Sequence, residues 1–208
     1  MRRAFLRAAA ALAAIVAMPA LAQDAPPAPA APPLPRVLIE TSAGSMTVEA
    51  DTVRAPVTAG NFLAYVDKKL LDGVVFYRVV KVQPEFGFVQ FGPLDDVKKM
   101  LPPVKHEPTS QTGLSHTDGV LSVARFEPGS ARGEFTIMVG DNSRGMDAGF
   151  VPDDKLGYAA FGRVVEGRDV LLRILDTPPD PAKTTQGAFK GQMPAAPVKI
   201  IRARRLAN

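Results

Sequence analysis

Few side chains in this 208-residue chain can do covalent or metal chemistry. Cysteine is absent, which excludes disulfides, thiolate zinc sites and thiol nucleophiles together. Two histidines remain, His106 and His116. Even with Glu107 beside the first, two imidazoles ten residues apart on a polar stretch are too few for a zinc site, and both read as solvent-exposed loop residues. Ser115-His116-Thr117-Asp118 contains the residue types of an acyl-transfer triad. Sequence neighbours rarely make that spatial relay, however, and no nucleophile-elbow sequence occurs. Phosphate loops and dinucleotide fingerprints are also missing. What remains is hydrogen-bonding chemistry, with Arg78 and Gln90 in two β-rich runs. Taken alone, Arg78 reads as a strand arginine paired with a carboxylate or lying over a barrel, and Gln90 as a strand amide.

The elements that hold these residues follow from periodicity. Val37–Thr41 and Met46–Glu49 alternate around Ala43-Gly44, two strands joined by a tight turn in which Gly44 tolerates positive φ. Pro56 opens a helix, with Phe62, Tyr65 and Val66 on one face. Val74–Val80 and Phe86–Phe91 are the next strands. Residues 93–118 are polar and without period, a long loop or lid. Strands resume at Val120–Ala124, Phe135–Val139 and Tyr158–Val164. A second helix covers Gly167–Leu175, with Val170, Leu171 and Ile174 on one side. Residues 177–196 are an irregular connection to a final strand, Pro197–Arg205. Eight short strands and two helices predict an all-β fold, a closed eight-stranded antiparallel barrel capped by helices. Spacing alone does not separate barrel from sandwich, but helices are too few for an alternating βαβ fold.

The chain is 46% hydrophobic and 22% charged, as a globular domain is, and long enough for one well-cored domain. Residues 1–22 read as a signal peptide: a basic start, an apolar run from Ala8 to Met18, and Ala20-Leu21-Ala22 before the cut. The apolar run is about half of the ~20 residues a membrane span needs. Arg2-Arg3-Ala4-Phe5-Leu6 also resembles a twin-arginine signal, and a general secretory route fits nearly as well. Residues 23–35 hold six prolines and no aromatic residue, a linker before a domain at 36–207. The formal charge is +4, but without the three leader arginines 22 basic residues face 21 acidic ones, which removes the support for a nucleic-acid surface.

Val74-Val75-Phe76-Tyr77-Arg78-Val79-Val80 followed by Phe88-Val89-Gln90-Phe91-Gly92 resembles the core signature of the cyclophilin family of peptidyl-prolyl cis-trans isomerases. Ala55–Thr58, Asn61–Leu63, Gly119–Arg125, Glu134–Val139, Met146-Asp147 and Tyr158–Gly162 match further segments in order, so the similarity runs from about Val37 to Arg205. The resemblance implies an isomerase of X–Pro bonds that needs no cofactor and no metal. Arg78 then corresponds to the catalytic arginine, and Gln90 to the glutamine that holds the substrate backbone. Phe88, Ala124, Thr136, Met146 and Tyr158 line the proline and neighbouring subsites, and Arg125 lies on the segment that pairs with the peptide backbone. The implied partners are proline-containing peptides and, with the leader at 1–22, unfolded exported proteins, met in the periplasm (or outside the cell if there is no second membrane) by a monomer with no stable membrane anchor and no nucleic acid.

Four departures bear on the site. Extra residues at Val82–Glu85 leave Phe86 and Phe88 as rivals for one place. Glu134 stands where a glutamine is usual, either pairing with Arg78 or weakening backbone binding. Thr136 replaces a large aromatic, and tryptophan is absent, which disfavours tight cyclosporin binding. A catalytically weak or inactive peptide-binding module of the cell envelope is the alternative function.

Overall fold

A computed structural model describes residues 33–94, 96–150, 154–183, 187 and 189–207. The segment 1–22 read as a signal peptide and most of the expected linker at 23–35 lie outside the described residues.

The chain opens with a hairpin of β1 (Arg36–Thr41) and β2 (Gly44–Ala50). Gly44 takes φ +127°, and a Cβ there would stand 2.9 Å from Val170 Cγ2, so glycine lets the later helix close over the turn. Helix α1 (Pro56–Asp67) follows, then β3 (Val75–Gln83) and β4 (Phe86–Gly92). A 3-10 turn (Val97–Lys99) and the one-turn helix α2 (Thr109–Thr112) lie in the next stretch. Beyond it come β5 (Val120–Val123), β6 (Phe135–Val139), the one-turn helix α3 (Ser143–Met146) and β7 (Ala159–Glu166). Helix α4 (Arg168–Leu175) and β8 (Ile200–Arg205) complete the described elements.

All eight strands form one antiparallel sheet in the order β3-β4-β6-β5-β7-β2-β1-β8. Its two ends meet through a Val75–Lys199 bridge, supported by backbone bonds from Phe76 N to Val198 O and from Ile200 N to Val74 O. The sheet therefore curls into the expected barrel, closed at this seam by a narrow contact rather than a full ladder. Period-two alternation sends Val89, Phe91, Phe135 and Ile137 into the core, where Phe76 and Val79 of β3 join them. There Phe135 is ringed by Phe62, Tyr65, Phe91 and Phe161, with centroids 5.2 to 5.8 Å apart. Helix α1 packs on β2, β7 and β8, and α4 on β2, β3 and β4. Among the described residues no helix is long and apolar enough to cross a membrane.

Two sequence expectations need correction. Residues 93–118 are largely irregular but are not a detached lid, because Leu101, Val104 and Leu114 pack on the core and Leu101 N donates to Tyr65 Oη at 2.8 Å. His106 and His116 are buried rather than solvent-exposed, at 8% and 0% exposure. The polar sequence around them concealed this, since their neighbours' polar groups are satisfied by other elements.

Candidate active site

Arg78 and Gln90 are brought together by the β3–β4 hairpin. The register passes from Phe76–Phe91 directly to Arg78–Gln90, so Tyr77 is an extra residue, a β-bulge. Because of this bulge Phe76 points into the core while Tyr77 and Arg78 both face outward. Val79 returns to the core. On β4 the outward residues are Phe88 and Gln90; on β6, Thr136, which pairs with Gln90; on β5, Ser122, which pairs with Thr136. Four of the nine predicted residues, Arg78, Phe88, Gln90 and Thr136, thus form one band across β3, β4 and β6 that Ser122 extends onto β5, while Ala124, Arg125, Glu134, Met146 and Tyr158 lie outside these strands. Seven of the nine keep partial exposure, and only Gln90 and Thr136 are buried.

The Arg78 guanidinium is held from several sides. Its Nη1 donates to Gln90 Oε1 at 3.2 Å and its Nε to Gln192 Oε1 at 2.6 Å. Its Cζ lies 5.1 Å from the Phe88 ring centroid and 4.8 Å from that of Phe189. Burial lowers its pKa from the ordinary arginine value, against an opposing pull from Tyr77 and Tyr158, and the group stays charged. Phe88, not Phe86, is the ring beside Arg78; Phe86 sits instead against Gly140 at the far end of the hairpin. The extra residues simply lengthen the hairpin, whose turn is Pro84-Glu85.

Glu134 is half-buried, and its two oxygens accept from Tyr77 Oη at 2.5 Å and from Leu94 N at 2.7 Å. Its backbone carbonyl accepts from Ala124 N at 2.7 Å, which joins those two predicted residues. Met146 and Tyr158 are joined by a backbone bond of 2.8 Å. Arg125 differs from its neighbours: its side chain is fully buried although the residue as a whole is partly exposed, so its backbone is what lies open. The guanidinium grips Asp154 through two bonds of 2.8 and 2.9 Å and also donates to Gly157 O and Phe126 O. It lashes down the loop that leads to Tyr158, whose ring centroid is 5.5 Å from Arg125 Cζ.

A cavity of about 240 Å³ lies elsewhere, lined among others by Glu49, Asp51, Arg54, Ser115 and Arg163. It contains none of the predicted residues, and its charges are already paired: Asp51 with Arg54, and Glu49 with Arg36 and Arg163. Among the described residues no three His, Asp or Glu side chains gather as a metal site.

Comparison with known proteins decides the family. The model described as cyclophilin type peptidyl-prolyl cis-trans isomerase/CLD matches residues 36–205. The chain belongs to the cyclophilin-type peptidyl-prolyl cis-trans isomerase family. It is 33% identical over 171 residues to a peptidyl-prolyl cis-trans isomerase of Acinetobacter baylyi, covering 79% of this chain and 82% of that one. Peptidyl-prolyl cis-trans isomerase A of Dickeya dadantii is 38% identical over 141 residues, 66% of this chain and 70% of the relative. The crystal structure of a Cryptosporidium parvum cyclophilin type isomerase in the presence of the dipeptide Ala-Pro superposes with a TM-score of 0.63. It is 21% identical, covering 83% of this chain and 99% of that one.

Three features of this cyclophilin-type site were not foreseen in the sequence. Asp147 accepts from Ser115 Oγ at 2.5 Å, from His116 N at 3.0 Å and from His116 Nδ1 at 2.5 Å. His116 Nε2 lies 2.8 Å from Ser122 Oγ. Asp147 can only accept, so Nδ1 carries a proton, while Ser122 Oγ, beside Nε2, donates its one proton to Ala159 O at 3.1 Å. A Ser–His–Asp relay does exist, then, but through Ser122 and Asp147 rather than Ser115 and Asp118. Ser122 is 1% exposed, so the relay is a brace beneath the band, not a nucleophile. Burial lowers the His116 pKa against the pull of Asp147. The second feature is Glu107, whose carboxylate caps α1 from 49 residues away. The third is the contact of Phe189 and Gln192 with Arg78. Gly191 in Phe189-Lys190-Gly191-Gln192 signals a turn but not where that turn lands.

Proposed function

We propose that this isomerase turns X–Pro bonds of unfolded exported proteins outside the cytoplasm, with the Arg78 guanidinium as the group that lowers the barrier. The observation that carries the reading is the outward, half-buried Arg78 fixed at Nε and Nη1 beside the Phe88 ring. Resonance in the amide C–N bond sets a barrier of ~18–20 kcal/mol. As the amide twists, the prolyl nitrogen regains its lone pair and becomes an acceptor. A guanidinium donor then bonds the twisted amide better than the planar one, and only such a differential lowers the barrier. Partial burial strengthens that bond relative to water.

In this reading Gln90 orients both Arg78 and the substrate backbone. Phe88, Ala124, Thr136, Met146 and Tyr158 receive the proline ring and its neighbours, and the Arg125 backbone pairs with the peptide. The Ala-Pro dipeptide present with the Cryptosporidium relative supports a proline-containing ligand here. The leader pattern at 1–22 supports export, and sequencing the mature N-terminus in fractionated cells tests it: Gln23 in the periplasm is expected, and intact Met1 in the cytosol would contradict it. Titrating the labelled protein with an Ala-Pro peptide tests the site. Amide shifts are expected on β3, β4, β5 and β6; shifts confined to the cavity of Asp51, Ser115 and Arg163 would refute it.

A further inference from the structure

We propose that the Phe189–Gln192 turn is a positioning element of the active site, holding the Arg78 guanidinium in the orientation that meets the prolyl amide. The proposal rests on Arg78 being the donor. Its origin is a problem of sheet edges. Strand β3 ends the sheet, and its outer N–H groups need partners. The chain returning from α4 supplies them: Gln192 O accepts from Val79 N at 2.8 Å and Val198 O from Phe76 N at 2.9 Å.

Covering the edge brings side chains to Arg78. Gln192 grips β3 twice, by its carbonyl on Val79 and by Oε1 on Arg78 Nε at 2.6 Å. That second bond is shorter than the 3.2 Å bond from Nη1 to Gln90. Gln192 N bonds Phe189 O at 2.9 Å across a turn in which Gly191 takes φ +66°, so both ends of the turn face the same guanidinium. The Phe189 ring lies 4.8 Å from Arg78 Cζ and 6.0 Å from the Tyr77 ring. The base of the excursion is tied down as well. Pro179 bridges Pro194, Asp180 N donates to Met193 O, and Lys183 Nζ donates to Pro194 O and Ala195 O. A planar guanidinium fixed at Nε, at Nη1 and by rings has little freedom left to rotate. Such pre-orientation raises turnover more than it raises affinity.

The test joins spectroscopy and kinetics on the full ¹⁵N-labelled chain. The Arg78 Nε–H signal is assigned by its loss in Arg78→Ala. In Gln192→Ala and Phe189→Ala that signal is expected to move to the position of solvent-exposed arginines. Turnover of an Ala-Pro peptide is expected to fall about five- to tenfold, with KM changed less than about twofold. Phe189→Tyr, which keeps the ring, recovers most of the loss, and unchanged amide spectra exclude a folding defect. An unmoved Nε–H signal in both alanine variants overturns the proposal, whether or not activity falls. Wild-type turnover in both, with Arg78→Ala inactive, overturns the turn's role alone. Wild-type turnover in Arg78→Ala overturns the donor reading with it.

Discussion

Replacing Glu107, a buried residue of the 93–118 loop, should destabilise the fold markedly, although its sequence context is an ordinary polar stretch. Helix α1 begins with Pro56, which has no N–H, and Ala55 supplies no side-chain cap. Val57 N and Thr58 N donate instead to the Glu107 carboxylate at 3.1 and 2.7 Å, and Thr58 Oγ1 adds a bond of 2.6 Å. Glu107 is 2% exposed, so water cannot replace it. Its negative charge also sits at the positive end of the helix. In Glu107→Ala, buried donors left unpaired cost about 1–3 kcal/mol and a lost cap about 0.5–2 kcal/mol. A total of about 3 kcal/mol lowers Tm by roughly 6–12 °C in a chain of this size. Glu107→Gln keeps the shape and one acceptor and should cost about half as much. Calorimetry with urea melts measures both, and turnover well below Tm should stay within about twofold because Glu107 lies outside the Arg78 band. A Tm within a degree of wild type for Glu107→Ala, or Gln costing more than Ala, would refute the reasoning.

Arg125→Ala frees the loop tied through Asp154 and Gly157 and should raise KM about fivefold with little change in kcat. Arg125→Lys should not restore it, since a lysine cannot make the paired bonds to Asp154; full rescue by lysine would contradict this. Burial lowers the pKa of both His106 and His116, in His106 with help from the Arg125 charge and against Asp154 and Glu107. The Leu156 backbone also opposes the shift in His106, yet neither ring nitrogen reaches hydrogen-bond geometry. The folded chain thus keeps both rings neutral where the unfolded chain begins to bind protons. Stability should be full above about pH 6.5 and fall as the pH drops from there toward the folded values. Asp51, Asp72 and Asp118, whose pKa values are lowered, give up their share only at more acid pH. Denaturant melts at pH 7.5 and 5.5 should show the loss, and His106→Phe should reduce it; an unchanged pH slope would count against a buried neutral His106.

The outward residues of the band were legible because strand period and motif order are local properties. Arg78, Phe88 and Gln90 lie within thirteen residues, and one hairpin brings them together. The bulge at Tyr77 was not legible, since alternation alone would have sent Phe76 and Arg78 to the same face. The contacts that brace the site were also hidden. Gln192 meets Arg78 across 114 residues, Glu107 meets Thr58 across 49, and Asp147 meets His116 across 31. Side chains that meet through tertiary closure leave no period in either segment. Polarity misled for His106 and His116, because a polar neighbourhood looks like a solvated one until its partners are known.

The most direct measurement is exchange NMR of a short Ala-Pro peptide with wild type, Arg78→Ala and Arg78→Lys. Clear acceleration by wild type is expected, with at least about a tenfold loss in Arg78→Ala. Lysine should rescue poorly, because its ammonium cannot keep the Nε and Nη1 contacts together. Equal acceleration by wild type and Arg78→Ala would contradict the assignment of barrier lowering to this guanidinium.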